Sequence, residues 1–168
     1  MNNVARLSQE ERNQVFSETA AQMGATPAIV EKDFWVCFVL DKIFMSEKLR
    51  SKLLFKGGTS LSKVYNVIER FSEDIDLVLN WNLVSCENPN LGRSKNKQDK
   101  FNKQINELAQ EYIVSQLLPE LEVLCAPLCQ VEIDQKDPHC VNISYPITFE
   151  EILSIVVDEV FPHPSDII

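Results

Sequence analysis

Glycine is scarce in this chain: only four of 168 residues, two of them adjacent at Gly57 and Gly58. That concentration singles out one turn as the place where close backbone approach matters. Histidine is rarer still. His139 and His163 lie near no other chemistry-bearing pattern, so both are expected in loops and proton transfer need not involve them. The five cysteines (Cys37, Cys86, Cys125, Cys129, Cys140) are odd in number. Cys125 and Cys129 have no second pair or histidine pair to complete a zinc site. Reduced, mostly buried thiols of a cytoplasmic protein are the expectation. No apolar run approaches a membrane span, and residues 1–14 carry no apolar signal segment, so no membrane role is expected. Cationic charge is also short. Sixteen Lys and Arg face 25 Asp and Glu, a net −9, which excludes a general nucleic-acid binder. It does not exclude an enzyme that holds a nucleotide through a metal and touches RNA with one local patch. No internal repeat is present. With 45% hydrophobic and 24% charged residues, the chain has the composition of one soluble domain with a real core.

What stands out is the stretch Leu53–Leu79. Leu53-Leu54-Phe55 is a short continuous apolar run of the buried-strand kind. Gly57-Gly58-Thr59-Ser60 follows, then Leu61, Val64, Tyr65 and Ile68 at helical spacing. In Asp74-Ile75-Asp76-Leu77-Val78-Leu79 the alternation predicts a strand whose two aspartates leave one face, about 6.6 Å apart along it. Carboxylates that close repel unless a cation or proton relieves them. Mg²⁺, which commonly keeps phosphate as a co-ligand, is the usual solution. The Gly-Gly-Thr-Ser turn offers close backbone approach, hydroxyl donors and a helix start that favours anions. The plainer alternatives are a turn that is only a turn and a solvated strand edge. Their combination in strand–turn–helix–strand order favours phosphoryl chemistry.

Along the chain, Ser8-Gln9-Glu10-Glu11 fits a capping box for a helix stopped at Gly24. Thr26-Pro27 opens a second helix running to about Met45, apolar nearly all round from Phe34 to Leu40. Glu31, Lys32 and Asp33 stand out there, with a solvated first turn as the plain reading. Lys63 falls four residues after Thr59, over the same helix face, where it could reach phosphate. Ser72, two residues before Asp74, shares its face if the strand starts that early. Asn80–Gln98 reads as a long connection ending in a basic patch: Arg93, Lys95, Lys97, Lys100 and Lys103. This patch is a candidate for triphosphate or RNA backbone contact, although charge runs are usually solvated faces. A helix with Phe101, Ile105, Leu108, Tyr112, Ile113 and Leu117 as its apolar stripe is expected to end at Pro119. Cys129–Asp134 and Cys140–Tyr145 alternate as two strands joined by Gln135–His139. Thr148-Phe149-Glu150-Glu151 fits a capping box for a last helix, although Ile155-Val156-Val157 also permits a strand; Pro162 and Pro164 break the pattern.

The run Lys56-Gly57-Gly58-Thr59-Ser60-Leu61-Ser62-Lys63, followed by Arg70-Phe71-Ser72-Glu73-Asp74-Ile75-Asp76-Leu77, resembles the signature of the AbiEii/AbiGii-type nucleotidyltransferase toxins. The upstream Glu31-Lys32-Asp33-Phe34-Trp35-Val36 is similar to the segment that precedes it in that family. The resemblance implies an α/β (α+β) nucleotidyltransferase-like fold, a small mixed sheet with packed helices. It implies transfer of a nucleotide from an NTP to an acceptor, plausibly tRNA, by the toxin of a toxin–antitoxin or abortive-infection system with a separately encoded antitoxin. Asp74 and Asp76 would bind magnesium (or manganese) and be catalytic; Gly57, Gly58, Thr59, Ser60 and Lys63 would hold the nucleotide. It further implies a third carboxylate from a strand beside the Asp-x-Asp strand. Glu132 and Asp134 are the first candidates by position in a strand, with Asp158 or Glu159 behind. Residues 1–168 would form a single domain, an N-terminal portion or shortened member truncated at the C-terminus. The alternative is a catalytically inactive module that keeps the fold to bind nucleotide or a protein partner. Another Asp-x-Asp metal enzyme, such as a glycosyltransferase, would leave the Gly-Gly-Thr-Ser turn unexplained.

Overall fold

The computed structural model describes residues 1–63, 74–149 and 153–161. After a single turn, α1 (Asn2–Ala5), Ser8 caps α2 (Gln9–Met23). Its hydroxyl accepts from Glu11 N–H at 3.3 Å, while its own N–H donates to Glu11 Oε2 at 2.9 Å, the reciprocal capping box that the sequence spells. Gly24 ends the helix at φ 66°. The Thr26 side chain caps α3 (Pro27–Met45), with proline in the first turn where no N–H is needed.

Among the described residues five strands follow: β1 (Leu53–Lys56), β2 (Asp74–Asn80), β3 (Gln130–Ile133), β4 (Cys140–Ser144) and β5 (Leu153–Phe161). Their spatial order is β1-β2-β5-β4-β3. The β1–β2 and β3–β4 pairs are antiparallel, and β5 joins them, parallel to β2 and antiparallel to β4. Strand alternation divides the sheet into two faces. Leu53, Ile75, Leu77, Leu79, Val131, Val141, Ile143, Ile155 and Val157 are buried against Trp35, Val36, Val39 and Ile43 of α3. The same core takes Ile105 and Ala109 of α5 (Lys95–Tyr112) and Leu121 and Cys125 of α6 (Leu118–Cys125). The other face carries Asp74, Asp76, Asn142 and Ser154, all half-buried. A smaller cluster, Phe16, Ala20 and Val30, fastens α2 to α3. Among the described residues, no helix is long and apolar enough to cross a membrane.

Two expectations are corrected. Pro119 does not end the helix after Leu117. The chain passes from α5 through a π-helical turn, Ile113–Leu117, into α6, and Pro119 falls in the first turn of that new helix. The capping pattern that fitted a last helix is followed instead by β5, the strand that Ile155-Val156-Val157 also permitted, wherever the structure describes it. Ile155 and Val157 are buried between β2 and β4, and pairing on both edges outweighs the local capping pattern. The expected helix positions Val64, Tyr65 and Ile68, together with Ser72, Glu150, Glu151, Pro162, His163 and Pro164, lie outside the described residues.

Candidate active site

β2 sits between β1 and β5, with the two aspartates at its beginning. Asp74 is in register with Ser154 of β5; Asp76 is in register with Lys56 on one side and Val156 on the other. The chain leaves Lys56 directly into α4 (Gly57–Lys63). Gly57 has φ 75°, and a Cβ placed there would fall 1.9 Å from Asp76 Oδ2. Any side chain at position 57 would therefore collide with that carboxylate. The first glycine of the pair thus has a physical reason: positive φ and close approach at the same residue.

The other expected site residues separate by role. Gly58 lies half-buried in the first turn of α4, and Thr59 follows in the same helix with its side chain outside the described residues. Ser60 is buried and its hydroxyl donates to Gly57 O at 2.8 Å, so it fixes the turn itself. Lys63 ends α4 with Nζ 2.5 Å from the Asp33 carboxylate of α3. Lys56, directly across from Asp76, is the cation that sequence reasoning did not single out; its signal was a lysine closing a strand immediately before Gly-Gly.

Glu31, whose plain reading was a solvated first turn, is fully buried. Its carboxylate accepts from Thr148 N–H at 2.9 and 3.2 Å and from Phe149 N–H at 2.8 Å. Of the candidates for a third acid, Glu132 and Asp134 are too far away. Glu132 pairs with Asn142, Asn142 with Ser154 and Ser154 with Asp74, three strand spacings or about 14 Å. Asp134 is moreover engaged in the β3–β4 turn. It accepts from Lys136 N at 2.8 Å, Asp137 N at 3.0 Å and Asn142 Nδ2 at 2.9 Å. The Asn142 bond, followed by the two backbone donors, holds its pKa below the ordinary carboxylate value. Asp158 alone of the four has a backbone partner on β2, Val78, two residues beyond Asp76.

The basic patch is not beside the acids. Arg93 is consumed locally: its guanidinium donates to the carbonyls of Asn88, Pro89 and Leu91, pairs with Glu87 at 3.1 Å and lies 3.8 Å from the Phe101 ring centre. Lys95, Lys97, Lys100 and Lys103 are exposed at the start of α5, on the helix side of the sheet. The 84–87 segment, which follows the far end of β2, joins the middle of α5 around a cavity of about 240 Å³. Asp74 is about 20 Å along β2 from that end. Burial pushes the Cys125 and Cys129 thiols up to about 11 and about 12, so both stay protonated at neutral pH.

A mixed five-stranded sheet, covered by helices on one face and carrying paired aspartates on the other, is consistent with a nucleotidyltransferase-like fold. Residues 39–167 match the AbiEii family, described as nucleotidyl transferase toxins of type IV toxin–antitoxin systems, and the chain belongs to that family. No curated protein and no solved structure matches it.

Proposed function

We propose that this chain is a metal-dependent enzyme that moves a nucleotide from an NTP to an acceptor hydroxyl on RNA, plausibly a tRNA end, as the toxin partner of a cognate antitoxin. The observation that carries the reading is Gly57. A glycine with positive φ, packed where a Cβ would strike Asp76, brings the backbone of the turn directly against that carboxylate. Two hard carboxylate oxygens on one strand face beside such a turn suit Mg²⁺ or Mn²⁺ with phosphate as co-ligand. Asp74 and Asp76 would hold the ion, and Asp158 on the adjoining strand is the third acid. When bound, the metal would neutralise triphosphate charge and lower the pKa of the attacking hydroxyl.

The protein's own groups supply position. Ser60 locks the turn through Gly57 O, and Gly57 with Gly58 lets backbone reach the phosphates. Thr59 completes the nucleotide contacts in this reading, and Lys63, tied to Asp33, steadies the helix from which they are made. The exposed lysines of α5, remote from the acids, suit the backbone of an extended RNA whose end reaches β2, rather than the triphosphate. Their contribution should fall steeply with salt.

The test incubates the full chain with each labelled NTP, Mg²⁺ and total RNA, beside Asp74→Asn and Asp76→Asn. Label transferred to RNA by the wild type and lost in either variant supports the enzyme. Absence of transfer with NTP binding retained would instead favour an inactive binding module.

A further inference from the structure

Glu31 and Asp33 lie two residues apart on α3 and so point to nearly opposite sides of that helix. Each holds a different element. Asp33 takes the Lys63 ammonium at the end of α4, both side chains being about four-fifths buried: 19% and 22% exposed. Glu31, at 0% exposure, takes the backbone N–H groups of Thr148 and Phe149, just ahead of β5. The two held elements flank β2 at one end. Because β1 runs antiparallel to β2, the exit from β1 into α4 lies at the beginning of β2. Because β5 runs parallel to β2, its entry lies there too. That is the end where Asp74 and Asp76 stand. The same stretch of α3 reaches the end of β4, where Trp35 stacks on Tyr145 with ring centres 5.2 Å apart and planes 15° apart. Arg12 of α2 donates to Pro146 O at 3.0 Å.

We infer that Glu31 and Asp33 are a pair of positioning residues that bracket the Asp74–Asp76 site. Asp33 sets α4, and with it Gly57, against Asp76. Glu31 sets the entry of β5, and with it Ser154, beside Asp74. Neither residue touches the nucleotide. This rests on the nucleotidyltransferase reading for its functional consequence, but the bracket itself is a property of the free chain. Buried charges of this kind hold geometry because each loses its partner's compensation when the partner moves.

Amide hydrogen exchange on the full chain reads the bracket without any ligand. Asp33→Asn should speed exchange over residues 57–61, and Glu31→Gln over 147–149 and 153–155, each about tenfold, while β3 and β4 keep their protection. A uniform rise across the sheet would overturn the inference, since the carboxylates would then be general stabilisers. Binding of a fluorescent NTP in Mg²⁺ supplies the second arm. Asp33→Asn should weaken it about tenfold, and the charge swap Asp33→Lys with Lys63→Asp should return it to within about threefold of wild type. If the swap binds as poorly as Lys63→Ala while residues 57–61 regain protection, Lys63 contacts phosphate directly and the exclusively positioning role of Asp33 falls. A wild type with the expected exchange pattern but no NTP binding would sink the nucleotidyltransferase reading and leave the bracket standing.

Discussion

Asp134, just past β3, and Asp76 on β2 stand three strands apart in one sheet, and their surroundings differ in kind. Three N–H donors within 3.0 Å close around Asp134, two from the backbone of the turn it braces and one from Asn142. Asn142 in turn accepts from Ser154 at 3.0 Å, so the carboxylate anchors a hydrogen-bonded row running inward from the hairpin. Around Asp76 the conspicuous feature is a missing side chain, at Gly57, where a methyl group would overlap the carboxylate. A structural carboxylate is recognised by the donors assembled on it. The candidate reactive one is recognised by the glycine backbone packed against it.

The strongest way to break this contrast is to force a side chain into that contact. Gly57→Ala combines an unfavourable φ of 75° with a 1.9 Å overlap, and should cost about 2–5 kcal/mol together with nucleotide transfer. Gly24→Ala, at φ 66° with no atom within 4 Å, should cost only about 1–2 kcal/mol and spare transfer. Denaturant unfolding of the two variants, with transfer assays, separates backbone strain from obstruction; equal losses would remove the special status of Gly57.

A second test exchanges the acids. Asp158→Asn should reduce transfer to the background of Asp76→Asn, whereas Glu132→Gln, three strands from Asp74, should stay within about twofold of wild type. Loss of transfer in Glu132→Gln, with the fold intact by circular dichroism, would redraw the site around β3.

The smallest effect is a pH effect. Asp134 has a folded pKa below its ordinary value, so its contribution is present above the unfolded pKa near 4 and is lost as the pH falls through the lower folded value. Exchange of the Lys136 and Asp137 amides should therefore show no loss of this brace between pH 5 and 8, and lose protection only below about pH 4, after correction for intrinsic rates. In Asp134→Ala the brace should already be gone at neutral pH, with transfer unaffected.

The sequence made α2, α3, β1, β2 and the β3–β4 hairpin legible because each carries its own local signal: caps, a glycine stop, alternation, or a polar turn between alternating runs. Two features were hidden because their causes are remote in the chain. Glu31 looks like an ordinary first-turn acid, and only the return of Thr148 and Phe149 to its side makes it a buried acceptor. β5 carries a helix-capping pattern at its approach, and only the edges offered by β2 and β4 make it a strand. The distance of two of the candidate third acids from Asp74 was hidden for the same reason. Glu132 and Asp134 sit in the more obvious strand, but strand order, which alternation does not encode, carries them away from Asp74. Lys63 and Ser60 were expected at the nucleotide, and the structure gives both of them protein partners.

The position of β5 also bears on how the molecule comes into being. A ribosome delivers β1 and β2 early and the β3–β4 hairpin much later, and neither hairpin has a partner for its inner edge until β5 emerges and slides between them. Until then β2 is an edge strand, its aspartates mounted on a ribbon of two strands that has little independent stability. The sheet closes by distant pairings such as Asp74 with Ser154, the slow kind of contact in folding. Newly made chains should therefore pass through a period in which both acids exist but their setting does not, and β5 acts as the timing element of the fold.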